Sequence, residues 1–396
     1  MKNKVNIITA IMLVGFVIAV FYHYYMGSYL SLNYPFNTFL FAPQAKCSDL
    51  LDELQRVSGL NPYFSNFGHA VYFPFMYILE YIFLLLVPSD QNSYILFFVC
   101  SMMLFVVLVN FLVLKHGTFS KLEITQYTFI LSFMSFPLLF DLDRGNLEAF
   151  VFISMVLFMY MFYRKHYNMS AIFLAMAIAM KLTPILFAIL FIKHKQFKSI
   201  ILCGISTLIL TLFSLLLFKA SVLNSINGVF SGISYFYNDY VIGNGGLKYG
   251  SSIYGAIKNF IIMENINMPI DWLYSITNMV SMLVMIVILL IILIKKSVLW
   301  KQVALLSCLT LLCTPVASDY RLIIMFLPLW LFLLETDKSK FDTIYAVLFG
   351  LIMIPQGYYI FYPATVSVSE FSHPLILIAL SIIILLDKEP ILVKKK

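Results

Sequence analysis

Charged side chains that could do chemistry collect in three short polar turns between apolar runs. The turns are Asp141 to Asn146, Lys181 to Pro184 and Ser318 to Arg321. Each turn holds one basic residue. Three cations brought together could bind a phosphate or pyrophosphate through charge-assisted hydrogen bonds.

The same turns could instead form structural ion pairs. The possible pairs within a turn are Arg144 with Asp141 or Asp143, and Arg321 with Asp319. Lys181 has no acid within its own turn. It is therefore the best single candidate for a cation that faces a ligand.

Acidic residues follow the first apolar run. Asp49, Asp52 and Glu53 lie within a few residues of one another, upstream of Asn61 and Tyr63. A carboxylate just outside a membrane helix could remove the proton from a hydroxyl group beside a lipid-borne substrate. A single acidic loop residue is more often solvated surface.

A second polar stretch, residues 235 to 254, alternates tyrosines with asparagine, aspartate and glycine. Flat aromatic faces beside amide and carboxylate groups suit a sugar ring. Tyrosine belts at membrane interfaces have the same composition, so this pattern is equally typical of lipid contact.

Several well-known catalytic patterns are missing from the sequence. It has no phosphate-binding glycine loop, no H-E-x-x-H and no G-x-S-x-G. The six histidines are scattered, although His69 or His373 could assist proton transfer. We therefore expect neither a metal nor a cofactor, and the five cysteines indicate no disulfide framework.

The elements that must position these residues are membrane helices. Of the 396 residues, 62% are hydrophobic and 11% charged, which a soluble core could not absorb. We predict an all-α, polytopic protein that forms a single membrane domain over residues 1–396. About twelve spans are expected: 5–26, 92–114, 122–140, 147–163, 168–180, 182–193, 199–219, 270–294, 301–316, 321–335, 341–361 and 372–387.

Charge orients these spans. With both termini in the cytoplasm, most of the 26 Lys and Arg residues lie inside and most acids lie outside. This balance explains the net charge of +7 better than nucleic-acid binding, which we do not expect. Two long segments then face outward: a first exterior loop, 27–91, with the carboxylates, and a second, 220–269.

Two segments of this topology can be assigned in another way. Residues 71–87 could span, and 170–192 could be one helix. That arrangement would bury Lys181 near the bilayer centre and move basic residues outside, both of which are unfavourable. We predict instead that 71–87 is an interfacial helix and that Pro184 breaks the 170–192 run at residues 181–184.

The order of motifs resembles the GT-C membrane glycosyltransferases, and among them the bacterial polyprenol-phosphate-mannose-dependent mannosyltransferases of glycosyltransferase family 87. The similarity is carried by S-D-L at 48–50, G-L-N-P-Y at 59–63, Y-F-P at 72–74, Gly145 and Asn146, K-L-T-P at 181–184, S-S-I-Y-G at 251–255 and P-V-A-S-D-Y-R-L at 315–322. The chain departs from the family pattern at Arg144 and at Gly250.

The resemblance implies an inverting transferase in the bacterial inner membrane, with its active site on the exterior face. The donor would be a polyprenyl-phosphate sugar, mannose or a similar hexose, and the acceptor a glycan or glycolipid. Asp49 takes the position of the base, with Asp52 as the alternative. Lys181, Arg144 and Arg321 would bind the donor phosphate. Expected substrate contacts are Asp141, Asp143, Asn146, Asn61, Tyr63, Tyr72, Asp319, Tyr320 and Ser252.

Two other classes of membrane protein fit the composition. A transporter or flippase for lipid-linked sugars would also have about twelve helices, but the chain shows no paired internal repeats. An O-antigen polymerase or ligase would use Arg and His in large exterior loops, where basic residues are scarce here. The sequence leaves the sugar, the acceptor and the oligomeric state open.

Overall fold

The structure, a computed structural model, describes residues 1–65, 69–87, 90–249, 251–360 and 366–387. These residues form helices and turns and no β-strand. Gly250 and the last residue of the predicted span 341–361 lie outside them. The α-helices are α1 (Lys2–Tyr24), α2 (Ser48–Val57), α3 (Pro74–Leu86), α4 (Gln91–Lys115), α5 (Lys121–Phe133), α6 (Phe136–Arg144), α7 (Glu148–Tyr163), α8 (Tyr167–Met180), α9 (Ile189–Lys193), α10 (Phe197–Leu217), α11 (Val222–Phe236), α12 (Ile253–Met263), α13 (Ile270–Ile294), α14 (Leu299–Leu312), α15 (Phe326–Leu334), α16 (Asp342–Met353) and α17 (Ser369–Leu386).

Five helices within the described ranges are long and apolar enough to cross a membrane. They are Lys2–Tyr29, which extends α1, together with α4, α10, α13 and α17. A helix rises about 1.5 Å per residue, so about 20 residues cover the hydrocarbon layer. Five of the twelve predicted spans therefore coincide with full-length helices, and the chain is a polytopic membrane protein.

The other predicted spans are broken or short. Helices α5 and α6 together pass as one span but are bent by 49°. The bend has a local cause, since Pro137 in the first turn of α6 has no N–H group to donate to the carbonyl of Phe133, so α5 cannot continue straight into α6. The other predicted spans correspond to apolar helices of 17 residues or fewer. The total of twelve crossings stays a prediction.

The predicted break in the 170–192 run is confirmed. Helix α8 ends at Met180, and Lys181 has extended backbone, with φ −156° and ψ 135°. A 3-10 turn, Thr183–Ala188, then leads into α9. Pro184 supplies the reason, because it lacks the N–H group that a continuous helix would need. Lys181 is thereby placed outside both helices.

The centre of the bundle contains α7, α8, α14 and α15, and the outermost long helices face away from it. Every residue of α14 from Trp300 to Leu312 is buried. By contrast, only 6% of the hydrophobic window of α13 is buried. An apolar helix that exposes its side chains is stable in lipid and not in water. The outer helices therefore present the lipid-facing surface.

One end of the bundle is closed by lysines that cap the C-termini of other helices. Lys193 Nζ donates to Lys295 O at 2.6 Å, and Lys295 Nζ donates to Leu385 O at 2.9 Å. Lys4 Nζ donates to Phe332 O at 3.3 Å. The last carbonyls of a helix have no partner within it, and cations near them are favourable. We call this the lysine end.

The polar turns lie at the other end. Helix α17 connects the two, because His373 near its start contacts Asp319 and Leu385 near its finish contacts Lys295. Twelve helical residues separate these positions by roughly 18 Å. We call the end that contains Asp319 the site end.

Candidate functional site

Asp49 is the centre of the hydrogen-bonded cluster at the site end. Arg144 donates to both of its carboxylate oxygens, from Nε to Oδ2 at 3.0 Å and from Nη2 to Oδ1 at 2.6 Å. Asn146 Nδ2 donates to Oδ2 at 2.6 Å. The Arg144 and Asp49 side chains are 13% and 19% exposed. A partly buried fork of this kind holds a carboxylate in one orientation.

The backbone around Gly145 brings these residues together. Gly145 ends α6 in the left-handed conformation, with φ 63°, and Asn146 N then donates to Asp141 O at 3.0 Å. A Cβ atom at Gly145 would lie 2.8 Å from Leu50 Cβ. Glycine therefore permits both the turn and the close approach of α2. The Cys47 N–H donates to Asp143 O at 2.6 Å and joins the same two segments.

Lys181 forms an ion pair with Glu148 at the start of α7. Burial lowers the pKa of Lys181, and the Glu148 carboxylate opposes this shift. The sequence interpretation missed Glu148, although an acid two residues after Asn146 in the first turn of a helix is a recognisable signal. The best candidate for a ligand-facing cation thus has a protein partner as well.

The other acids of the first polar turn do different things. Asp143 Oδ2 accepts a hydrogen bond from Phe41 N at 2.6 Å and so anchors the first loop. Asp141 is fully buried, and neither of its side-chain oxygens has a hydrogen-bond partner in the described part of the chain. The sequence suggested that Arg144 could pair with Asp141 or Asp143 in its own turn. In the structure it pairs with Asp49 of the first loop.

Arg321 is buried and bonded to neutral groups. It donates from Nη1 to Val316 O at 2.8 Å and to Thr314 Oγ1 at 3.0 Å, and from Nη2 to Thr310 O at 3.2 Å. Its charge still acts on Glu148 and Lys181. The pairing with Asp319 that the sequence allowed is absent among the described contacts.

Tyr320 and Tyr72 lie on the same cluster. The Arg144 Cζ atom is 5.9 Å from the centre of the Tyr320 ring. Burial raises the pKa of Tyr320, and Asp49 and Glu148 raise it further. The charged and polar neighbours of Tyr72 include Tyr320, Asp49 and Glu148. Both rings therefore lie near enough to Asp49 and Glu148 for these charges to act on their hydroxyl groups.

Asp52 lies one helical turn after Asp49 and is exposed. Partial burial raises the pKa of Asp52, and the negative charge of Asp49 raises it further. An exposed carboxylate beside the cluster is accessible to an acceptor hydroxyl.

Three further predicted contacts are Tyr63, Asn61 and Ser252, and two of them have structural partners other than Asp49. Tyr63 donates its hydroxyl to Tyr72 O at 3.0 Å and packs against Tyr77. Asn61 precedes a 3-10 turn, Pro62–Phe64. Ser252 is fully buried, caps α12 by accepting from Gly255 N at 3.0 Å, and donates to Pro315 O at 2.9 Å. Their roles as substrate contacts stay predictions.

Within the described ranges, no group of three or more His, Cys, Asp or Glu side chains is arranged to hold a metal ion. The side chains around Asp49 can supply acid–base and electrostatic chemistry. One oriented carboxylate is bonded to Arg144, and the charges of Lys181 and Arg321 act on Glu148, two residues after Asn146.

The chain is similar to a known protein family. The family model described as glycosyltransferase family 87 matches residues 70–315, more than half of the chain. No curated protein matches the sequence. The matched region contains Arg144, Asn146, Glu148 and Lys181. Asp49 and the turn with Tyr320 and Arg321 lie outside it.

Proposed function

Because the chain belongs to glycosyltransferase family 87, we propose that it transfers a hexose, mannose or a similar sugar, from a polyprenyl-phosphate donor. The acceptor is a glycan or glycolipid, and the reaction takes place at the outer face of the bacterial inner membrane. One observation carries the proposal: a carboxylate in the first loop is oriented by Arg144 and Asn146 beside further cations.

In this proposal Asp49 is the general base. Its hydrogen bonds to Arg144 and Asn146 fix the orientation of the carboxylate. Oδ2 accepts from both residues, whereas Oδ1 accepts from Arg144 Nη2 and has a further lone pair with which to accept a proton. The acceptor oxygen, once deprotonated, attacks the anomeric carbon, and the bond to the donor phosphate breaks with inversion. Asp52 is the alternative base, since it is exposed one turn away.

The cations have the complementary role. As the sugar–phosphate bond breaks, negative charge builds on the departing polyprenyl phosphate, and Lys181, Arg144 and Arg321 stabilise it. Because Lys181 is paired with Glu148 and Arg144 with Asp49, the cations are held in place before the donor binds. Tyr320 and Tyr72 border the space for the sugar, beside Asp141, Asp143, Asn146 and Asp319.

The test is Asp49→Asn in purified protein supplied with a polyprenyl-phosphate sugar and a glycolipid acceptor. Loss of a general base lowers kcat by about 10²–10⁴-fold. Because Asp49→Asn also removes the charge that Arg144 pairs with, the melting temperature should fall, and kcat is compared at a temperature at which both proteins are folded. Asp52→Asn is the neighbouring comparison. Asp337→Asn, in an exposed turn near the lysine end, is the control.

Three outcomes would change the proposal. If Asp49→Asn is fully active and Asp52→Asn is inactive, the base is Asp52. Full activity of the double variant would remove this loop from the chemistry. Movement of a lipid-linked sugar across the membrane without a new glycosidic bond would favour a flippase.

A further inference from the structure

A second polar network lies behind the candidate site. Asp319 Oδ1 accepts a hydrogen bond from His373 Nδ1 at 3.0 Å and another from Ser251 Oγ. The His373 side chain is 0% exposed, and Ser251 is also buried. Ser251 N donates to Ala317 O at 2.9 Å, so backbone and side chain both fasten residue 251 to the segment before Asp319.

The network joins three distant parts of the chain. His373 is in the first turns of α17, Ser251 lies in the second long segment, 220–269, just before α12, and Asp319 begins the 3-10 turn Asp319–Met325. The next two residues of that turn are Tyr320, whose ring centre is 5.9 Å from Arg144 Cζ, and Arg321, which donates to Thr310, Thr314 and Val316 at the end of α14 and whose charge acts on Glu148. The hydrogen bonds to Asp319 thus hold the start of the turn that contains Tyr320 and Arg321.

The geometry differs from that of a nucleophilic Ser–His–Asp triad. In such a triad the serine bonds one imidazole nitrogen and the carboxylate bonds the other. Here Ser251 and His373 both bond the same oxygen of Asp319. His373 Nε2 is buried without a hydrogen-bond partner in the described part of the chain. Burial raises the pKa of Asp319, but His373, Ser251 and Ser369 outweigh this and hold it below the usual value.

We propose that His373 is a positioning residue: by donating its Nδ1–H to Asp319, it holds the turn Asp319–Met325 so that Tyr320 lies beside Arg144 and Arg321 stays bonded to the end of α14. The role of Arg321 in binding the donor phosphate rests on the proposed function; the role of His373 in fixing the turn does not. Without the imidazole, a buried carboxylate loses one of its donors, and the turn shifts to find another.

The proposal distinguishes two conservative substitutions. An asparagine amide can reach the place of Nδ1, whereas a glutamine amide reaches the place of Nε2. His373→Asn should therefore keep the bond to Asp319, while His373→Gln and His373→Leu lose it. We expect the last two to raise the donor KM about tenfold, with the acceptor KM unchanged, and His373→Asn to stay within about threefold of the original. His194→Leu, at the lysine end, is the control.

A second measurement is independent of catalysis. Ser318→Cys is introduced into a chain whose native cysteines are replaced, and its rate of thiol labelling is measured with each residue at position 373. The buried position 318 should react slowly with His or Asn at 373 and several-fold faster with Gln or Leu.

The results separate the two proposals. Faster labelling in the Gln and Leu variants, together with an absence of sugar transfer by the unmodified protein, would support the positioning role and reject the proposed function. Equal labelling in all variants would overturn the positioning role. The positioning role would also be overturned if the Asn, Gln and Leu variants all showed higher KM values for donor and acceptor together with lower melting temperatures. That result indicates only a packing defect.

Discussion

The Lys181–Glu148 ion pair shows how a single contact at the candidate site can serve both structure and chemistry. The two side chains are 23% and 6% exposed. Removing one partner of a buried pair leaves the other charge without compensation, which costs about 3–5 kcal/mol. Replacing both partners avoids that cost. Stability and activity can therefore be separated at this pair.

We expect Lys181→Met and Glu148→Gln each to lower the melting temperature in detergent. The double variant Lys181→Met/Glu148→Gln should recover most of the stability, because no buried charge is left alone. It should still lose sugar transfer by at least tenfold, since the cation that stabilises the donor phosphate is gone. A double variant that is stable and fully active would show that Lys181 has a structural role only.

Residue types at the site could be predicted from the sequence, and their partners could not. Asp49, Arg144, Lys181 and Arg321 stood out as charges beside apolar runs. The Asp49–Arg144 bond joins residues 95 positions apart, however, and nothing in the local pattern indicates it. The sequence suggested ion pairs between residues of the same turn. Tertiary packing supplied partners from other segments instead.

At the scale of elements, the packing of α2 on α3 depends on buried acids. Glu53 on α2 pairs with Arg56, and Glu80 on α3 is fully buried, with neither carboxylate oxygen bonded within the described residues. Burial raises the pKa of Glu53 to about 7, although Arg56 opposes the shift. The interface is therefore sensitive to pH.

The direction in which stability changes with pH follows from the pKa of Glu53 in the unfolded and folded chains. The pKa of Glu53 is 4.5 in the unfolded chain and about 7 when folded, so between these values only the folded chain holds the proton. Stability from this group is present at pH values below 4.5 and is lost as the pH rises to 7. We expect Glu53→Gln to flatten the fall in melting temperature between pH 5 and pH 7. Exposed Glu264→Gln is the control, and an unchanged slope in Glu53→Gln would contradict the prediction.

The sequence predicted the break between α8 and α9, which a proline causes. It did not predict the bend between α5 and α6. Pro184 correctly predicted the end of α8. Pro137 has the same effect between α5 and α6, but the span 122–140 was predicted as one helix because its hydropathy is continuous. Hydropathy reports how apolar a segment is. It does not report whether the backbone continues straight through it.

On the scale of the whole molecule, the lysine end and the site end match the charge asymmetry in the sequence. Lysines of several predicted interior turns meet at the lysine end, where they cap helix C-termini. The polar turns predicted to face outward meet at the other. The number of crossings could not be predicted from composition, because several apolar segments form helices too short to span alone.

Cysteine labelling tests which end faces outward. In a chain without native cysteines, Asp52→Cys at the site end should react with an impermeant thiol reagent in intact cells. Lys198→Cys, beside the lysine cap at residue 193, should react only after permeabilisation; both positions are exposed. The opposite pattern would place Asp49 in the cytoplasm and remove the proposed site from the outer face.

The long separation between Asp49 and Arg144 has a consequence for how the chain is made. A membrane protein is inserted as it is synthesised, so the acid of the first loop reaches its compartment before its guanidinium partner exists. Tyr320 and Arg321 are synthesised after Arg144, and the imidazole that holds their turn follows them. The first loop therefore has no guanidinium partner until α6 has been made, and the turn Asp319–Met325 has no imidazole donor until α17 has been made.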